Sequence, residues 1–216
     1  EALLAARHGD PFALLGPHAA PGGLVVRAFV PHAESLAVRP EAGGPPLPLA
    51  RVDDAGFFEG LLPGRAPPFG YRLGARNAGG AWELEDPYRF GPTLGPLDDH
   101  LLVEGTHRRL HERLGAHAVL HEGVGGVRFA VWAPNAAAVS VVGDFNHWDP
   151  RRHPMRKRVD SGLWEIFLPG LGAGAAYKYA IRGRDGAELP WKADPFGRAA
   201  ELRPSTASVV ARDAPF

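Results

Sequence analysis

The sequence contains no cysteine and no excess of charge of either sign. Without cysteine, neither a disulfide framework nor a thiolate zinc site is possible. Lysine plus arginine equals aspartate plus glutamate, 24 against 24. Nucleic acids and anionic membranes both favour basic proteins, so this balance argues against either of them as the main partner. A neutral polymer or a small neutral ligand fits the composition better.

Long apolar runs are also missing. No stretch of about 18 apolar residues marks a membrane span. No basic segment followed by an apolar core opens the chain, as a secretory signal would. We therefore expect a cytoplasmic protein that does not engage a membrane.

Recognisable catalytic and metal-binding patterns are absent as well. The sequence has no G-x-S-x-G elbow and no phosphate-binding P-loop, and its paired carboxylates are adjacent residues whose side chains diverge. His100, His107 and His111 come nearest to a metal set, but no cysteine or carboxylate completes it. We predict no catalytic residues, no cofactor and no metal site.

Glycine and proline are abundant instead, 28 and 22 of 216 residues, which is about twice their ordinary usage. Hydrophobic residues still make up 45% of the chain. A chain with this apolar content is able to form a core, so the glycines and prolines indicate many turns between short strands rather than disorder.

The sequence contains the same pattern twice, which indicates two homologous domains in tandem with a junction near residues 96–112. The second copy follows the first by about 100 residues. The matching pairs are LLGPH (14–18) with RLGAH (113–117), GGLVVRAFVPHAESLAV (22–38) with GGVRFAVWAPNAAAVSV (125–141), GFFEGLLPG (56–64) with GLWEIFLPG (162–170), and residues 71–91 with 177–197.

Each copy consists of short strands with alternating apolar residues, separated by turn signals. In residues 163–168, for example, Trp164, Ile166 and Leu168 share one face, while Leu163, Glu165 and Phe167 share the other. This rhythm predicts an all-β protein of two tandem immunoglobulin-like β-sandwiches with a short helical linker.

The predicted boundaries follow from the repeat. They are a first sandwich at 1–96, a linker at 97–112, a second sandwich at 113–212 and the start of a further linker at 213–216. Short helices are expected at 1–8 and 97–107, with Asp98 or Asp99 capping the latter.

One loop distinguishes the copies. The second copy reads GDFNHWDPRRHPM at 143–155, whereas the first copy reads RPEAGGPPLPL at 39–49. Because the first copy manages without this loop, the sandwich does not require it, and its aromatic residues indicate binding.

A sugar is the ligand that these residue types suit. A flat aromatic ring covers the apolar C–H face of a pyranose, and forked polar groups meet the hydroxyls at its rim. We predict that Trp148 and Trp191 stack on the sugar and that Asn146 and Lys178 bind its hydroxyls. Trp191 lies in a loop able to converge on Trp148.

Other interpretations of these residues stay open. Trp148 is equally compatible with packing on its own domain or on a neighbouring one, and Lys178 with a solvated strand position. Trp164 is expected in the core, and Trp82 in a packing role. Trp132, which matches Phe29 of the first copy, is expected to pack or to contact another domain.

The second copy resembles the family 48 carbohydrate-binding module that precedes the catalytic barrel in α-glucan-active enzymes. The residues that carry the resemblance are VRFAVWAPNAAAVSVVGDFNHWD, GLWEIFLPG, YKYAI and KADPF. Together with DPFALLGPH, DPYRFGP, EGTH and RPSTAS, they make residues 10–210 similar to bacterial glycogen branching enzymes with two amino-terminal domains.

The resemblance implies specific partners and roles. The partners would be α-1,4-glucan, as glycogen, amylose or maltooligosaccharide, and a catalytic barrel whose motifs this chain lacks. Trp148 and Lys178 match positions that hold glucan in related modules, Asn146 lies in the same loop, and Trp191 is near the usual second aromatic. The chain would bind or orient glucan and influence the length of the chain transferred.

Two alternatives remain. In the first, both sandwiches serve only as packing partners of the barrel. In the second, the whole enzyme that contains this region is a debranching enzyme or a trehalose-releasing hydrolase. The tandem first domain with DPFALLGPH argues against the second alternative.

Overall fold

The computed structural model describes residues 2–212, so the linker predicted at 213–216 lies outside the described residues. The chain forms two compact units. One unit is Phe12–Phe90, and the other combines the residues before Phe12 with those from Gly91 onward. The repeat thus does yield two units, but their boundaries differ from the predicted ones.

The Phe12–Phe90 unit contains seven strands, which are β1 Gly16–Ala20, β2 Gly23–Phe29, β3 Ser35–Pro40, β4 Leu47–Asp53, β5 Phe57–Pro63, β6 Tyr71–Asn77 and β7 Gly80–Leu84. They form an antiparallel sheet in the order β1-β2-β5-β4-β3-β6-β7. The central strand β4 pairs with β5 through its second half and with β3 through its first half. Strands β2 and β5 therefore supply one side of the core and β3 and β6 supply the other. Trp82 packs partly buried against this core, as predicted.

The other unit contains eight strands, which are β8 Gly115–His121, β9 Val124–Trp132, β10 Ala136–Gly143, β11 Arg156–Arg158, β12 Leu163–Pro169, β13 Ala176–Gly183, β14 Ala199–Ala200 and β15 Ser208–Val209. They form two four-stranded antiparallel sheets, ordered β11-β12-β9-β8 and β10-β13-β15-β14. Trp164 from the first sheet is fully buried in the core, which confirms its predicted role. Phe129 and Tyr177, one from each sheet, meet edge to face with ring centroids 4.9 Å apart.

The predicted all-β class is confirmed, and helix is scarce. Within residues 2–212 the α-helical content is α1, Pro96–Val103, which is eight residues long. No helix in this part of the chain is long and apolar enough to cross a membrane. The helix predicted at 1–8 is wrong, because residues 2–6 form turns. Short 3-10 helices occupy Pro11–Ala13, Pro87–Arg89, Leu110–Glu112 and Asp144–Asn146.

The unit that contains strands β8 to β15 is called the second unit below. The predicted linker at 97–112 is part of it. Leu94 and Leu114, on either side of it, join Ala130 and Leu163 of the sheet in one buried cluster. The segment between them therefore covers the outer face of β9 and β12. This explains why the six residues from Leu163 to Leu168 are all buried although their side chains alternate between two faces.

Glu165 joins this covering segment to the sheet. Its side chain is 2% exposed. It accepts hydrogen bonds from the backbone N–H groups of Thr93 (2.9 Å) and Leu94 (3.2 Å) and from the Arg158 guanidinium (2.9 Å). Arg158 also pairs with Asp99 at the start of α1. The helix is thus held by charges that the sheet supplies, and Asp98 rather than Asp99 bonds the N-terminal backbone N–H of Gly95 (3.2 Å).

Residues 2–11 also belong to the second unit, which corrects the predicted boundary of 1–96. Leu3 and Ala6 are buried. Arg182 on β13 donates hydrogen bonds to the carbonyl oxygens of Ala5 (3.2 Å) and Ala6 (3.1 Å). These hydrogen bonds and the burial of Leu3 and Ala6 attach the segment to a strand of the second sheet.

A buried tyrosine–aspartate pair occurs at matching positions of the repeat. The Tyr71 hydroxyl donates to Asp86 (2.6 Å), and the Tyr177 hydroxyl donates to Asp194 (2.7 Å). Burial raises the pKa of Asp86 to about 6 and also raises the pKa of Asp194. The matched segments therefore make the same local interaction in both units.

Candidate glucan-binding site

The loop that only the second copy contains starts where β10 ends. Gly143 is required there, because a Cβ atom on it would overlap the carbonyl oxygen of Ala176 on β13. After the 3-10 turn Asp144–Asn146, both His147 (φ +57°) and Trp148 (φ +58°) adopt the left-handed conformation. This conformation costs a bulky residue about 1–3 kcal/mol. Contacts elsewhere in the loop must therefore hold it.

Asn146 supplies the main contacts that hold the loop. It is fully buried. Its Oδ1 accepts from the Gly143 N–H (2.9 Å), while its Nδ2 donates to the Val141 carbonyl (2.9 Å) and to His153 Nδ1 (2.9 Å). The prediction that Asn146 meets a sugar hydroxyl is therefore wrong, because its polar atoms are used inside the loop. It is a positioning residue.

His153 accepts the Asn146 hydrogen bond only while its Nδ1 carries no proton. Burial of the ring, followed by the nearby Arg152 guanidinium, lowers the pKa of His153 from 6.5 to about 3. The folded loop therefore contains a neutral imidazole over the whole physiological pH range.

This gives a pH prediction. A pKa that is lower in the folded state contributes stability that is present above pH 6.5 and is lost as the pH falls toward 3. Between pH 8 and pH 5 we expect His153 to cost the second unit up to about 2 kcal/mol of unfolding free energy. Urea unfolding of the protein and of His153→Gln at both pH values measures it, since a glutamine carbonyl also accepts from Asn146. Asp194, whose pKa is raised by burial, is present in both proteins, so its contribution to the pH dependence cancels in the comparison. Equal losses in the two proteins would contradict the assignment.

Trp148 and Trp191, called the tryptophan pair below, lie against each other at the surface. Their ring centroids are 5.8 Å apart and their planes differ by 11°, which is an offset-parallel arrangement. Trp191 remains 43% exposed, and Trp148 is half-buried. The structure thus brings together two residues that are 43 positions apart in the sequence.

Polar contacts hold the Trp148 ring and the backbone next to Trp191. The Trp148 indole N–H donates to Asp144 Oδ1 (2.8 Å), and its backbone N–H donates to the Gly143 carbonyl (2.9 Å). Trp191 is followed by Lys192, whose backbone exchanges hydrogen bonds with Tyr179 of β13 (2.8 and 2.9 Å). The two indoles are therefore preorganised, and a ligand that covers them has little side-chain entropy to remove.

Lys178 lies on the same sheet. It stands opposite Val142 in the β10–β13 pair, immediately before the loop, and alternates with the buried Tyr177 and Tyr179. Its Nζ donates to the Thr206 hydroxyl (2.7 Å) at an exposed position. Thr206 was missed from the sequence, because nothing in RPSTAS shows that it returns to β13. The remaining donor capacity of the ammonium group suits a hydroxyl-rich ligand.

Trp132 lies elsewhere, at the end of β9 in the first sheet. It is 53% exposed, and its indole N–H donates to the Ser161 carbonyl (2.9 Å). It does not belong to the tryptophan pair. Among residues 2–212, no group of three or more histidine, aspartate or glutamate side chains is arranged to hold a metal ion.

Two known families each match a part of the chain. Residues 1–88 match the family described as alpha-1,4-glucan branching enzyme GlgB, N-terminal domain. Residues 113–197 match carbohydrate-binding module 48, also described as the isoamylase N-terminal domain. The chain is 58% identical over 97% of its length to 1,4-alpha-glucan branching enzyme GlgB of Mesorhizobium japonicum. The chain is therefore similar to the amino-terminal region of branching enzymes.

A second branching enzyme, from Novosphingobium aromaticivorans, is 56% identical over 98% of the chain. The chain spans only 28% and 29% of the lengths of these two relatives. Among solved structures, pullulanase type I from Bacillus subtilis str. 168 complexed with maltose aligns with 89% of this chain and 26% of its own, at 17% identity and a TM-score of 0.39. Both members of the tryptophan pair, Trp148 and Trp191, fall within residues 113–197, the range that matches carbohydrate-binding module 48.

Proposed function

We propose that this region binds and orients α-1,4-glucan for a branching enzyme, which transfers α-1,4-glucan segments to form α-1,6 branches. The observation that carries the proposal is the tryptophan pair, two near-parallel indoles of which Trp191 is 43% exposed and Trp148 lies on a loop that the first copy lacks. Each ring offers a flat apolar surface to a pyranose face, and Lys178 supplies a donor on the same sheet. Trp148, Trp191 and Lys178 are the proposed ligand residues.

The zero net charge of the chain supports a neutral polymer as the partner. Binding through one or two stacked rings gains only about 1 kcal/mol per ring beyond burial, so the affinity for a single short chain is expected to be weak. A polymer such as glycogen presents many chains to the same site and compensates by multivalency.

Affinity electrophoresis tests the proposal directly. We expect the 216-residue chain to be retarded in a native gel that contains glycogen or amylose, and soluble maltoheptaose in the gel to reverse the retardation. Unchanged migration in both polymers would contradict glucan binding. In the whole enzyme, new α-1,6 branches on amylose test the parent reaction, and release of reducing sugar without branches would point to a hydrolase instead.

The Phe12–Phe90 unit has no counterpart of the tryptophan pair at the matched loop, residues 39–49. We propose that this unit influences which chain length is transferred. Comparison of the chain-length profile of the debranched product, with and without this unit in the whole enzyme, measures that influence.

A packing role is the second candidate, and Trp132 is the observation that favours it. A half-exposed indole on the sheet that does not carry the tryptophan pair is the kind of residue that anchors a protein–protein contact. Glucan binding and packing would use different sheets of the unit, so one role does not exclude the other. In the whole enzyme, Trp132→Ala would then lower thermal stability and leave glucan retardation unchanged.

A further inference from the structure

Two grooves adjoin beside the tryptophan pair. The near groove, ≈ 100 Å³, includes Trp191, Pro150 and Ser140 in its lining. The far groove is larger, ≈ 530 Å³. Both are lined by Ile181 of β13 and by Leu189. The two grooves therefore meet at Ile181 and Leu189, and the near groove reaches the tryptophan pair at Trp191.

We propose that the far groove extends the glucan site, so that a chain held at the tryptophan pair continues over Leu189 into it. The inference rests on the proposed function. Ala180 lines the near groove and Gly183 lines the far one. Ala180 and Gly183 are three residue steps apart along β13, a distance of about 10 Å. A ligand must therefore be an extended oligomer to occupy both grooves.

The far groove has the chemistry of a site for a neutral, hydroxylated chain. Its floor is apolar, formed by side chains such as Pro134, Ile181 and Leu189. Its rim carries Asn135, Arg184 and Asp185, which are all exposed. A largely apolar surface with a few polar groups is typical of ligand sites, and the amide, guanidinium and carboxylate all form forked hydrogen bonds with hydroxyls.

The charges on the rim cancel, because Arg184 and Asp185 have opposite signs. A phosphorylated or acidic ligand would meet both a favourable and an unfavourable charge there, whereas a neutral glucan meets only hydrogen-bonding groups. None of the described lining residues of the far groove is aromatic. The far groove therefore adds hydroxyl contacts and desolvation rather than stacking. Its contribution to the affinity depends on the same chain also occupying the near groove.

The consequence is a dependence of affinity on chain length. Maltotriose is short enough to bind at the tryptophan pair alone, whereas maltoheptaose reaches the far groove as well. We expect the protein to bind maltoheptaose at least about fivefold more tightly than maltotriose, a difference of about 1 kcal/mol.

Isothermal titration of the 216-residue chain with each sugar tests this, using the double variant Asn135→Ala/Arg184→Ala. We expect the variant to bind maltotriose as the unaltered protein does and to lose the advantage of maltoheptaose. The variant Arg72→Ala, which removes an exposed guanidinium from the other unit, is the matched control and should retain that advantage. Thermal unfolding of each variant verifies that it is folded.

The outcomes separate the two proposals. If both sugars bind equally well, or if the double variant keeps the maltoheptaose advantage, the extension is wrong while the tryptophan pair stands. If the double variant weakens maltoheptaose but Trp148→Ala changes neither sugar, the far groove binds glucan and the tryptophan pair does not. If neither sugar binds, the proposed function and its extension are both wrong.

Discussion

Trp148→Ala is expected to weaken glucan binding at least tenfold. The substitution removes one of the two rings and leaves Trp191 without its parallel neighbour. Loss of the stacking contribution, together with the apolar area that a sugar would bury on the indole, amounts to about 1.5–3 kcal/mol. At 1.4 kcal/mol per factor of ten, this is a tenfold loss or more. Titration with maltoheptaose and retardation in a glycogen gel both measure it.

Trp132→Ala is the matched control for this experiment. It removes the same type of side chain from a half-exposed position of the same unit, on the other sheet. Its glucan binding should equal that of the unaltered protein. Trp148→Phe keeps a flat ring but loses the indole hydrogen bond to Asp144, so we expect an intermediate affinity. Trp148→Ala that binds glucan as tightly as Trp132→Ala would remove the tryptophan pair from the binding site.

Glu165→Ala is expected to lower the free energy of unfolding of the second unit by about 3–5 kcal/mol. The carboxylate is buried and accepts hydrogen bonds from Thr93, Leu94 and Arg158. Its removal leaves two backbone N–H groups unpaired and takes one of the two carboxylates from the Arg158 guanidinium. Breaking a buried charge pair is costly because the remaining charge has lost its compensation.

Thermal unfolding measures this loss, and we expect a decrease in Tm of about 10 °C. Glu104→Ala serves as the control, since the Glu104 carboxylate is half-exposed and its contacts, an ion pair with His100 and a hydrogen bond from the Thr106 hydroxyl (3.4 Å), are also exposed. Exposed pairs contribute about 0–1 kcal/mol, so the control should shift Tm by a few degrees at most. A Glu165→Ala variant that unfolds at the same temperature as Glu104→Ala would show that residues 91–112 are not held by this carboxylate.

Much of the fold was predictable from local sequence. Strand periodicity and the positions of glycine and proline depend on neighbouring residues only, and the repeat exposes the two copies directly. The core position of Trp164 follows from the same alternation, because it shares a strand face with Ile166 and Leu168. What alternation does not reveal is the second layer over Leu163 and Glu165, since that layer comes from residues about 70 positions earlier.

The candidate site was predictable in part. Residue type and the comparison of the two copies single out Trp148 and Trp191, and the structure places their rings in parallel. Asn146 was assigned wrongly because a polar residue in a loop has the same appearance in sequence whether it faces solvent or bonds the backbone beneath it. Only the positions of the Val141 carbonyl and the His153 ring show that its hydrogen-bonding capacity is used internally.

The sequence by itself determined the class of the protein, its duplication and the residues able to stack on a sugar, because these depend on composition, periodicity and the matching of one segment with another. The tertiary structure alone decided that residues 2–11 and 91–112 join the second unit, that Asn146 lies inside its loop, and that two grooves meet at Leu189. Each of these depends on contacts between residues far apart in the chain, and such contacts are set by the packing of the whole unit rather than by any local pattern.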